Sequence, residues 1–253
     1  MEKFVLLTRG RTGSTAVLDE LGKTMVLHTT QELFMIGPFP EKVLKNYYKL
    51  LSPFDLWKQQ GWWWKRLIPV YYGDPRQAHK YLMLAEELAQ SQGVKGFGWK
   101  VLSHHFGQRP YLAELLKRLG YRVVYLRRNI ASQVLSGMVA NQRGVYNSLK
   151  EIVDDRRYHI DIEKFQWHVR WERDCVKSEC ARLSAGVFDF VEVSYEDYCD
   201  NRDVFYGKIF GLLNLPLELP PPSDFQKMIK DPRMIIENYD EVANVATVLG
   251  ESL

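Results

Sequence analysis

Phe4-Val5-Leu6-Leu7-Thr8-Arg9-Gly10-Arg11-Thr12-Gly13-Ser14-Thr15 is the stretch on which the fold turns. Four uninterrupted apolar residues read as a strand buried on both faces, the habit of parallel sheets. A turn with two glycines follows, and residues 15–21 have helical spacing, with Gly22 as a stop. Glycines let a backbone turn tightly and bring its N–H groups close to an anion. The helix start adds unpaired N–H donors and the positive end of the helix dipole. Ser14 and Thr15 offer hydroxyls, and Arg11 a forked cation that suits phosphate oxygens.

Outward from this unit, strands and helices alternate. Residues 25–27, 97–102, 121–126 and 188–193 read as strands, and 121–126 as a central one. Pro110 opens a helix with Leu112, Leu115, Leu116 and Leu119 on one face, and Gly120 closes it. Asn129 can cap a helix over 130–141, and residues 204–213 read as a later helix. The alternation predicts an α/β fold with a mainly parallel central sheet flanked by helices, in a single domain over 1–253. Residues 35–95 read as a helical and aromatic insertion, with helices at 41–51 and 77–90 around Trp62-Trp63-Trp64. That aromatic stretch suits a partner surface or an acceptor-pocket wall. Residues 143–162 read as a lid or a solvated loop. Trp167, Trp171 and Cys175 form a four-residue stripe expected in the core, and 219–224 is a proline linker.

The chain has 253 residues, 46% of them apolar and 26% charged. That composition excludes disordered, collagen-like and coiled-coil chains. A net charge of +3 names no polyanionic partner, and arginines at two turns rather than along one helix argue against nucleic acid. Three cysteines without a C-x-x-C pair speak against a disulfide framework and a zinc site. No apolar run approaches the roughly 18 residues of a membrane span, so a soluble, cytoplasmic setting is expected.

The glycine turn is not a standard nucleoside-triphosphate loop, because no lysine precedes Ser14. It also lacks the three glycines of a dinucleotide fingerprint. The second arginine-bearing turn is Arg127-Arg128, at the end of the 121–126 strand. A magnesium-dependent enzyme would want an aspartate there. Two arginines suggest instead that protein cations neutralise a polyanionic nucleotide, without a metal. Ser132 and Ser136 share one helix face, so Arg128 and Ser136 can grip one phosphate.

At these residues the chain resembles the sulfotransferases that use 3'-phosphoadenosine-5'-phosphosulfate (PAPS). Arg11-Thr12-Gly13-Ser14-Thr15 is similar to the family's 5'-phosphosulfate loop, and Arg128 with Ser136 to its 3'-phosphate element. The run from Arg127 through Asn129 and Gln133 to Ser136, with Gln31-Glu32-Leu33-Phe34, most resembles bacterial carbohydrate and glycolipid enzymes of the trehalose-sulfating type. Weaker likenesses lie at Phe97-Gly98-Trp99-Lys100, at Val193-Ser194-Tyr195-Glu196-Asp197 and at residues 238–242. The resemblance implies a P-loop-like three-layer fold. It implies PAPS as donor, with PAP (3'-phosphoadenosine-5'-phosphate) left over, and a hydroxyl or amine of a small molecule or glycan as acceptor. It places Arg9, Arg11, Thr12, Gly13, Ser14, Thr15, Arg128 and Ser136 at the nucleotide.

A general base must take the acceptor proton. Glu32 is the first candidate, by its place after the second strand and by the resemblance. His28, His104 and His105 are rivals, the last two because related enzymes use a histidine on a later strand. Lys100 suits a donor to the bridging oxygen or a plain strand-end cation. Two other readings stand beside this one: a small-molecule kinase, requiring ATP and Mg²⁺, and a non-catalytic nucleotide-binding protein. Oligomeric state is left open, a homodimer included.

Overall fold

The computed structural model describes residues 1–37, 48, 50–59, 75–148 and 156–253. Trp62-Trp63-Trp64, nearly all of the expected helix at 41–51, and 149–155 of the expected lid lie outside these residues.

Five strands form one sheet: β1 (Glu2–Thr8), β2 (Leu27–Thr30), β3 (Gly96–Leu102), β4 (Arg122–Arg127) and β5 (Phe190–Ser194). Their order is β2-β3-β1-β4-β5, and every pairing is parallel. Because side chains alternate across a strand, β1 feeds two cores. Val5 and Leu7 point into a cluster with Trp99, Val101 and Tyr125 under the helices Pro75–Gln90 and Tyr111–Arg118. Phe4 and Leu6 point to the other face, against Val17, Leu21 and Ile209 of the helices Ser14–Leu21 and Arg202–Leu212. Helix, sheet and helix thus make three layers. The helix at 77–90 is present, and it packs on the sheet through Tyr81, Leu82 and Ala85.

Gly98 shows how tightly one face is packed. It sits opposite Phe4 in the β1–β3 ladder, and an added Cβ would lie 2.1 Å from the Phe4 ring. Overpacking of this kind costs about 1–3 kcal/mol. Gly98→Ala is therefore expected to lower the unfolding free energy by that amount, read as a lower denaturant midpoint at unchanged m-value, and an unchanged midpoint would show that Phe4 swings away.

Three sequence expectations are corrected. The second strand begins at Leu27, not Met25, which is 85% exposed. The carbonyl of Val26 takes N–H bonds from Lys95 and Gly96, and the ladder starts one residue later at Leu27 opposite Gly96. The last strand starts at Phe190 rather than 188, after a turn kinked at Gly186 with φ 77°. The tryptophan stripe is not core. Trp167 and Trp171 are 59% and 46% exposed and stack on one another at 6.0 Å. Their helix, Ile162–Arg182, buries Phe165, Val169 and Val176 instead.

Parallel strands place all five carboxyl ends at one edge of the sheet. The chain leaves β1 towards β2 on the β3 side of the sheet, and it leaves β3 towards β4 on the other side of β1. Open α/β sheets bind ligands at such a switch point.

Candidate functional site

Each strand delivers a part of the site to that edge. β1 leads into the glycine turn. Its shape is set by Thr8, whose hydroxyl lies 2.5 Å from that of Thr12 and donates to the Leu126 carbonyl at 2.9 Å. Arg11 and Gly13 both adopt positive φ, 68° and 78°. Only glycine fits at Gly13, because a Cβ would stand 2.5 Å from the Tyr195 ring. Gly13 precedes the Ser14–Leu21 helix, and its carbonyl accepts the N–H of Ala16 and of Val17. Among the described residues, no acceptor meets the N–H groups of Gly13, Ser14 and Thr15. They form an open nest at a helix start, the standard backbone device for holding an anion.

β2 ends two residues before Glu32. The Glu32 carboxylate is clamped from β3: Oε1 lies 2.8 Å from Lys100 Nζ, and Oε2 lies 3.7 Å from His105 Nε2. The same ammonium reaches the Thr15 hydroxyl at 3.4 Å, so Lys100 joins the glycine turn to the carboxylate. Burial alone would raise the Glu32 carboxyl. The Lys100 ammonium, helped by His105 and His104, outweighs burial and holds it below the usual carboxylate range.

β4 delivers Arg128. Its guanidinium stacks on Tyr195, 4.6 Å from the ring centre, and donates to the Arg11 carbonyl at 3.0 Å. Its Nε is buried and has no partner. Arg11 donates to the Ser136 hydroxyl, which lies 3.3 Å from Nε and 3.2 Å from Nη2, and also to the Tyr146 carbonyl. Burial and the neighbouring Arg128 push the Arg11 guanidinium down from its ordinary value. Two half-buried cations side by side, one with an orphaned donor, repel each other, and an anion between them would relieve both. Ser136 is presented by the helix Ile130–Arg143, whose Asn129 cap accepts the Ser132 N–H at 2.9 Å as expected.

These groups line one cleft of about 440 Å³. Of the residues named from sequence, it takes in Arg11, Gly13, Ser14, Thr15, Glu32, Lys100, Arg128 and Ser136. Among the described residues its cations are Arg11, Lys100, Arg128 and Lys227, against a single carboxylate, Glu32.

Five of the named residues do not line it, His28 among them, which lies within β2 and stacks on Phe97 at 6.2 Å. Arg9 is drawn to the Ile162–Arg182 helix, where it pairs with Glu172 and, at 2.7 Å, with Glu179. Those two carboxylates outweigh burial and raise the Arg9 guanidinium above its usual value. Thr12 is buried and shapes the turn. His104 is exposed, and burial of its neighbour His105 is nearly complete at 1% exposure.

The far wall of the cleft was not foreseen. Tyr195, Tyr198 and Cys199 follow β5, and the strand-end rule that singled out Arg128 could have found Tyr195. The strip 225–229 also lines the cleft and had no such signal. It is tethered by Glu20, which is 1% exposed. Glu20 accepts from the Ser223 N–H, the Tyr198 and Tyr206 hydroxyls and Arg202.

No protein-family model and no curated protein sequence matches the chain. Solved structures do. The chain is similar to the sulfotransferase domain from the curacin biosynthetic pathway, with a TM-score of 0.51 and 13% identity over 100% of this chain and 99% of that one. A sulfotransferase from Alicyclobacillus acidocaldarius aligns at a TM-score of 0.47 and 11% identity, covering 100% and 97%. The sulfotransferase domain of the Synechococcus PCC 7002 olefin synthase aligns at 0.48 and 11%, covering 100% and 96%. What the chain shares with the curacin-pathway domain, over its whole length, is the fold, a P-loop-like three-layer α/β architecture with an all-parallel sheet.

Proposed function

We propose that this cleft binds PAPS and that the protein transfers its sulfuryl group to a hydroxyl or amine of a small molecule or glycan. The observation that carries this reading is the donor set. Arg128, whose Nε is unpartnered, and residues 13–15 with their open N–H groups line a cleft that holds four cations and one carboxylate among the described residues. A bis-anionic ligand fits such a set.

When bound, PAPS supplies a sulfuryl group on a phosphate leaving group. The Gly13–Thr15 nest, with the Ser14 and Thr15 hydroxyls, would hold the 5'-phosphate side. Arg128, Arg11 and Ser136 would hold the 3'-phosphate. Preorganised donors of this kind stabilise charge that grows on the leaving side. Lys100, already 3.4 Å from the Thr15 hydroxyl, is placed to do so. Glu32 takes the proton from the acceptor oxygen or nitrogen as its bond to sulfur forms. The likeness of residues 31–34 and 127–136 to trehalose-sulfating enzymes makes a carbohydrate hydroxyl the first acceptor to try. The kinase reading wants a carboxylate free to hold a metal, and the one in the cleft is tied to Lys100.

Transfer of label from ³⁵S-PAPS to a panel of sugars, glycolipids and phenols in EDTA tests the reading. Labelled product supports it. Phosphoryl transfer from ATP–Mg²⁺ with none from PAPS would replace it with the kinase.

The pH profile gives a separate check. A depressed carboxyl stays ionised as pH falls, and its contribution to activity and stability is lost only when pH drops through the lowered value. The acid limb of kcat is expected below about pH 4.3, the ordinary glutamate value. An acid limb near pH 6.5 would instead mark an imidazole base.

A further inference from the structure

His105 lies outside the cleft, yet its surroundings are specific. The helix His104–Gln108 begins directly after β3 and turns the imidazole back under the sheet edge. The backbone N–H of Leu102, the last residue of β3, points at His105 Nδ1 at 3.3 Å. A nitrogen that accepts a backbone N–H carries no proton, so the neutral ring must carry its proton on Nε2. Nε2 is the atom facing Glu32 Oε2 at 3.7 Å, while Lys100 holds Oε1. A base in this place would need the reverse, a free Nε2 lone pair open to the cleft.

We propose that His105 is a positioning residue for Glu32: a neutral imidazole locked by Leu102, whose Nε2–H points its positive end at the second oxygen of the carboxylate, 3.7 Å away, while Lys100 bonds the first at 2.8 Å. The inference rests on the reading of Glu32 as base. One bonded oxygen and one steered by the imidazole N–H favour a single orientation of the carboxylate, with a lone pair directed into the cleft.

The charges around the pair agree. Burial, with His104, Arg109 and Lys100 adding to it and Glu32 opposing, pushes the His105 imidazole down to about 3, so it stays neutral at working pH. The exposed His104 imidazole is lowered too, by partial desolvation on its inner side with Arg9 adding to it. Glu32 is faced by Lys100, His105 and His104, and its backbone carbonyl accepts the Tyr48 hydroxyl at 2.9 Å.

The test compares His105→Gln with His105→Ala in transfer from PAPS, with PAP affinity measured alongside. Glutamine keeps a neutral N–H donor, and alanine removes it. Loss of positioning can cost about 10²-fold. His105→Ala should lose roughly that in kcat with PAP affinity unchanged, and its acid limb should move to higher pH because the carboxylate has lost a donor. His105→Gln should recover most of the turnover and the wild-type limb. Equal, complete loss in both variants, with a wild-type acid limb near pH 6.5, would make His105 the base and overturn the proposal. So would a His105→Ala enzyme with unchanged kcat and limb. Should alanine unfold the protein, ¹⁵N imidazole shifts of the wild type decide. Expected is an unprotonated Nδ1 and protonated Nε2 from pH 7 to about pH 5, and an imidazolium or the opposite tautomer would refute it. Full turnover in Glu32→Gln would remove the base reading itself, a failure separate from the tautomer result.

Discussion

Glu32→Gln is expected to lower kcat by about 10²–10⁴-fold, the usual loss of a general base, while PAP affinity stays near wild type. Glutamine keeps the shape and removes the basic oxygen. The carboxylate lies at the carboxyl edge, in the cleft with the Gly13–Thr15 nest, and shares Lys100 with Thr15. No other carboxylate lines the cleft among the described residues. Steady-state turnover and calorimetric PAP binding, measured together, check this. Turnover above about a third of wild type would remove Glu32 from the reaction. A parallel fall in affinity would mean that the Lys100 bridge had collapsed and taken the cradle with it.

Arg128→Ala is expected to weaken PAP binding by about 2–4 kcal/mol, roughly 30- to 10³-fold, for loss of charge-assisted contacts in a partly desolvated site. The buried and unpartnered Nε is the reason to expect the upper part of that range. The loss should be much smaller for adenosine 5'-phosphosulfate, which has no 3'-phosphate. Arg128 also holds the Arg11 carbonyl at 3.0 Å. If both nucleotides lose affinity equally, scaffolding of the turn is its main task. Titration calorimetry with each nucleotide separates the two roles.

The local units were readable because local rules govern them. A buried strand, a glycine turn and a helix start appear together in residues 4–21, and the structure keeps them in that order. Asn129 caps because its side chain needs only the N–H of Ser132, three residues on. What escaped depends on distant partners. Arg9 looked like a phosphate ligand beside Arg11, but Glu172 and Glu179 claim it from a helix more than 160 residues away. Met25 and Val26 are as apolar as any strand, and only the ladder partner Gly96 decides where pairing begins. The 219–224 linker looked like spacing, yet Glu20 pins Ser223 and so sets the strip 225–229 across the cleft. Trp167 and Trp171 obey helical spacing, but spacing does not say which face of a helix meets the sheet.

Titration calorimetry of PAP in EDTA tests the central claim most directly, because it needs neither acceptor nor metal. The expected result is saturable one-to-one binding, weakened at least about 30-fold when the 3'-phosphate is removed from the ligand. No heat with PAP, together with binding of ATP only in the presence of Mg²⁺, would contradict it.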